Sequence, residues 1–66
     1  MVDLFPDTLT GLDAQIAEVR RELDQRARAY PRFIAAGTLT QVRADRQMAA
    51  MRAVLHTLEK LREGGR

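Results

Sequence analysis

A chain of 66 residues and 7.5 kDa has room for one small domain, read here as spanning residues 1–66. Apolar residues make up 45% of it, but ten of them are alanine, so few side chains can fill a core and a monomer this short is marginally stable. With no cysteine and a single histidine, neither disulfides nor a zinc site can staple the fold, which leaves oligomerisation. The net charge of +2 hides a strong asymmetry: residues 1–24 carry −4, residues 25–56 carry +5, and ten of the eleven basic residues are arginine.

The first segment reads as a helix. Leu9, Leu12, Ile16, Val19 and Leu23 recur at spacings of 3, 4, 3 and 4, a heptad seam. The same register runs on to Arg26 and Tyr30. Its start signals are Asp7 after Pro6, or Thr10 with Asp13 three residues on, and the choice stays open. Residues 1–6 read as a flexible arm that Phe5 can tuck against a neighbour. Pro31 disfavours helical geometry at Tyr30, so the helix is expected to end or kink there.

Pro31 to Gly37 then reads as one or two further helical turns, with proline at the first position and glycine at the left-handed stop. Thr40 is the expected N-cap of a last helix and Leu39 its hydrophobic staple, although Arg43 stands where a capping box needs an acid or amide. That helix runs from about Gln41 to Glu63, with residues 64–66 as a flexible tail. Ala44, Met48, Met51, Leu55 and Leu58 form its seam, again at 4, 3, 4 and 3. Val54 and Leu61 widen the stripe, while Val42, Ala49 and Ala53 make a second, small-residue flank. Two long helices joined by a short bent connection form an antiparallel hairpin, an all-α fold. The hairpin leaves apolar flanks uncovered, and pairing into a homo-oligomeric bundle covers them. Leu12, Ile16, Val19, Leu23, Met48, Met51, Leu55 and Leu58 are the expected core and oligomer residues.

Catalysis has little to stand on. His56 has Arg52, Ala53, Glu59 and Lys60 as helical neighbours, so a surface pair with Glu59 is expected. Glu18 with Glu22, and Glu59 with Glu63, are carboxylate pairs one turn apart that read as solvated faces in place of a metal site. No phosphate-cradling glycine loop or nucleophile elbow is present. The chain is read as a non-enzyme without cofactor or metal. No apolar run reaches the roughly eighteen residues of a membrane span. The opening residues lack the basic and apolar regions of a secretory signal. A cytoplasmic location is therefore expected.

DNA reading is the less favoured use of these helices. A recognition helix is compact and follows a short turn, whereas the second helix here is long and puts its methionines on a seam. The basic excess is local, and five or six arginines give at most non-specific phosphate contact.

The chemistry concentrates in Arg26, Tyr30, Arg32, Arg43 and Arg46, which an antiparallel hairpin gathers near its turn end. Arginine forks and an aromatic ring, repeated by symmetry, could clamp a nucleotide-like anion through its phosphates and base. The same residues have a structural reading: Arg26 snorkels, Tyr30 closes the end of the bundle, and Arg43 or Arg46 pairs with Asp45. A protein partner docked on the apolar flank is the alternative use.

From Tyr30 to Arg46 the chain reads Tyr-Pro-Arg-Phe-Ile-Ala-Ala-Gly-Thr-Leu-Thr-Gln-Val-Arg-Ala-Asp-Arg. This resembles a family of short, largely uncharacterised phage and prophage proteins with a Tyr-Pro-Arg-x-x-Ala-Ala-Gly pattern and a threonine-started helix containing Ala-Asp-Arg. The resemblance covers about residues 20–61. It rests on Tyr30, Pro31, Arg32, Ala35, Ala36, Gly37, Thr40, Ala44, Asp45 and Arg46, and assigns none of them to a ligand. It implies a phage-borne accessory protein in the bacterial cytoplasm that antagonises a host process by stoichiometric binding. The bound species would be a defence signal or a host protein.

Overall fold

The computed structural model describes residues 11–64 as two helices joined by a short turn. Helix α1 spans Leu12–Ala35 and helix α2 spans Gln41–Gly64, 24 residues each. The start signals Asp7 and Thr10, the seam residue Leu9, and the arm with Phe5 lie outside the described residues, as do residues 65 and 66. Within them, Gly11 precedes α1 in extended geometry and makes no side-chain cap bond.

The helix does not stop at Tyr30. Helix α1 carries Pro31 in its interior and continues to Ala35, so the expected separate segment after Pro31 is simply the end of α1. Proline removes the N–H that would bond the carbonyl of Ala27 and disfavours helix in the residue before it. Tertiary contacts oppose that local preference. The Tyr30 hydroxyl donates to Gln47 Oε1 at 2.8 Å across the helix pair, and Ile34, beyond the proline, is partly buried.

The stop comes at Gly37, as expected, with φ at +80°. Gly37 N–H donates to Ile34 O at 3.1 Å and Thr38 N–H to Phe33 O at 3.0 Å, the paired bonds of a Schellman motif. The Thr38 hydroxyl adds a third tie, donating to Phe33 O at 3.2 Å. Thr40 caps α2 as read from the sequence: its Oγ1 accepts from Arg43 N–H at 3.1 Å. At the far end, Gly64 is the last residue of α2, one residue past the expected end and not part of a tail.

The helices run antiparallel. Arg62 Nη1 lies 3.0 Å from Asp13 Oδ1 and Arg20 Nη2 lies 2.7 Å from Glu59 Oε2, while Tyr30 meets Gln47 nearest the turn. Partners therefore climb α1 as they descend α2. The expected seam faces inward: Leu12, Val19, Leu23, Met48, Met51, Leu55 and Leu58 are partly buried. Only Ile16 and Ala44 are buried outright among the described residues, at 1% and 3% exposure. The hairpin has a seam but almost no enclosed interior.

Candidate functional site

Tyr30 is the pivot of the turn end, and each of its two sides opens onto a different surface. One side is an apolar groove of about 430 Å³ between Ala27, Pro31 and Ile34 of α1 and Ala44 and Met48 of α2, with Asp45 and Gln41 on its rim. The other side is a cleft of about 360 Å³ where Tyr30 meets Glu22, Arg26, Phe33 and Gln47. A helix sets these positions: Arg26 lies one turn before Tyr30 on one side, and Pro31 and Ile34 follow on the other.

Arg26 is already engaged. Its Nε donates to Glu22 Oε1 at 2.9 Å, one turn back on the same helix. That bond holds the guanidinium pKa above its ordinary value; partial desolvation opposes the shift and nearby Tyr30 assists it. The seam position is thus filled by a charge that carries its own counterion, which agrees with the snorkelling reading.

The remaining arginines do not converge on Tyr30. Arg32, Arg43 and Arg46 are exposed and line neither side of it. Two residues past Tyr30, Arg32 points to the outer side of α1. Arg46, two residues past Ala44, likewise points to the outer side of α2. Of the five expected ligand residues, a single chain brings only Arg26 and Tyr30 into one cleft. None of Arg32, Arg43 and Arg46 forms an ion pair among the described residues.

Two expected pairs are replaced by others. Asp45 accepts from Gln41 Nε2 at 2.9 Å, so no arginine holds it at the turn; Gln41 stands one turn before it on the same face, a closer partner than an arginine across the turn. Glu59 is taken by Arg20 of the opposite helix, which leaves His56 exposed without that partner. Two other carboxylates are spent on neighbours: Glu18 on Arg21, and Asp24 on Arg28 at 3.0 Å. No group of three metal-ligating side chains occurs among the described residues.

Gln47 and the two cross-helix ion pairs went unread in the sequence. Counting equal distances from a turn at Gly37–Leu39 falls short of them: it sets Tyr30 opposite Arg46 and Arg20 opposite His56, one and three residues from the observed partners Gln47 and Glu59.

The two sides of the hairpin differ in kind. Both cross-helix ion pairs lie on the side of Pro31 and Asp45. The opposite side carries Phe33, Val54 and Leu61, exposed at 44%, 46% and 56%. A third surface, the outer side of α2, carries Val42 at 64% exposure with exposed Ala49 and Ala53. No helix among the described residues is long and apolar enough to cross a membrane. Comparison with protein-family models, with curated proteins and with solved structures found no match.

Proposed function

We propose that this chain is a non-enzymatic accessory protein of phage type that acts in the bacterial cytoplasm by binding a host protein stoichiometrically. The observation that carries this reading is the outer side of α2. A helix that packs only in a hairpin needs one apolar stripe, yet α2 has apolar residues around most of its circumference. Val42, Ala49 and Ala53 face away from α1 and are exposed. Arg46 and Lys60 bracket this row without ion pairs among the described residues. Such a row suits an amphipathic helix that brings small apolar side chains to the alanines and carboxylates to the two cations. The phage setting rests on the Tyr30–Arg46 resemblance.

Co-purification from a bacterial host tests it. Ala49→Glu and Ala53→Glu should each lower recovery of a stoichiometric host protein by at least about tenfold, with helicity and self-association unchanged. Undiminished recovery from both variants would contradict the reading.

A second reading keeps the nucleotide-like anion. It is favoured by Arg32, Arg43 and Arg46, which have no carboxylate partner among the described residues and lie on the turn half of the hairpin. Because one chain does not bring them to a common point, the pocket would have to form between copies. Tyr30→Ala or Arg32→Ala would then lose the ligand and keep the oligomer. A mononucleotide retained through high salt would separate this pocket from nucleic-acid binding, which weakens steeply with salt.

A further inference from the structure

The last turns of α2 carry a hollow of about 540 Å³ lined by His56, Thr57, Lys60, Leu61 and Gly64. By helical phase it opens away from α1, and Leu61 within it is 56% exposed. Gly64 brings no side chain to it. The Thr57 hydroxyl donates to Ala53 O at 3.0 Å, so it is spent inside the helix. His56 and Lys60 stand on the rim, and neither forms an ion pair among the described residues. Of the acids nearby, Glu59 is held by Arg20 at 2.7 Å, and Glu63 lies on the flank of that pair. The hollow joins an exposed apolar floor to a cation and an imidazole.

We propose that this hollow seats the chain's own residues Asp3-Leu4-Phe5-Pro6-Asp7, with Phe5 against Leu61 and the two carboxylates turned to Lys60 and His56. Three observations favour this occupant. The first is reach. The Asp13–Arg62 ion pair, at 3.0 Å, sets the start of α1 beside the end of α2. Residues 1–10 lie outside the described structure and join it at Gly11, six residues after Phe5, a span of about 20 Å when extended. Packed helices lie about 8–10 Å apart and measure about 10–12 Å across, so the far side of α2 is roughly 15 Å from the axis of α1. Phe5 can cover that distance. Leu9, two residues from Gly11, cannot.

The second is charge. Residues 1–10 hold Asp3 and Asp7 and no lysine or arginine. At this end of α2, Arg62 already has Asp13, and Lys60 is the cation without a carboxylate among the described residues. The third is order along the chain. Leu4 and Phe5 stand between the two acids, as Leu61 stands between Lys60 and His56 in the hollow. The placement needs no host protein, so it can fail or hold independently of the outer-row reading. It also covers Lys60, so a partner that takes Lys60 has to displace the segment.

The chain has no cysteine, so introduced pairs report the placement. In dilute protein, Leu4→Cys with Thr57→Cys should close an intrachain disulfide at least about tenfold faster than Leu4→Cys with Ala17→Cys, because docking raises the local thiol concentration. Ala17 is exposed on the outer side of α1 and lies nearer to Gly11, so an undocked segment would favour it instead. Adding Phe5→Ala or Lys60→Glu should each remove the preference; both positions lie off the seam, so the hairpin stays folded. Equal closure at positions 57 and 17, a preference that survives either substitution, or a disulfide that forms only between chains would overturn the proposal.

Discussion

Gly37 and Pro31 are the two residues whose backbone chemistry decides how α1 ends, and they act in opposite directions. At Gly37 a built Cβ meets nothing within 4 Å, so Gly37→Ala costs only the left-handed backbone, about 1–2 kcal/mol. Pro31 forgoes a helical hydrogen bond inside a continuous helix. Pro31→Ala should therefore raise stability by more than about 1 kcal/mol. Urea midpoints at one protein concentration check both, and a destabilised Pro31→Ala would mean that the proline stabilises α1. The arginines were legible as a cluster near the turn, but their directions were not. Composition places Arg32, Arg43 and Arg46 together, whereas the helical phase of each sends it to a different outer surface.

At the scale of the element, the heptad spacing made both seams legible, and the whole expected core of Leu12 to Leu23 and Met48 to Leu58 faces the partner helix. The Thr40 cap and the Gly37 stop were legible for the same reason: each rests on local backbone chemistry that neighbouring residues suffice to specify. The break at Tyr30 was misread, because the local cost of Pro31 is outweighed by contacts with a helix distant in sequence. The same blindness to distant partners assigned Glu59 to His56 instead of Arg20. Enclosure sets which seam residue matters most. Ile16→Ala should be the most damaging single truncation, at about 2–5 kcal/mol, read from its denaturation midpoint. The Arg20–Glu59 pair is exposed enough that a double-mutant cycle should give a coupling below about 1 kcal/mol, fading with salt. A coupling several times larger would mean that the pair is buried by something other than its own chain.

At the scale of the molecule, the described residues form a hairpin that spreads its apolar side chains over three surfaces and encloses only Ile16 and Ala44. One is the seam between α1 and α2, one is the flank with exposed Val54 and Leu61, and one is the Val42–Ala53 row assigned to a host protein. Alanine makes this arrangement possible, since small side chains let helices approach closely while giving little core to a single chain. Fold class was legible in the sequence because periodicity alone specifies a hairpin. Function was less so, because a binding surface is defined by a partner that the chain does not encode. The central claim is that the working unit is an even homo-oligomer that binds by its surfaces. Native mass spectrometry of the protein purified from a bacterial host tests it most directly. An even multiple of 7.5 kDa is expected, with a host protein in fixed ratio when one is retained. A bare single chain at tens of micromolar would contradict it, since a hairpin with two enclosed residues among those described would then be standing alone.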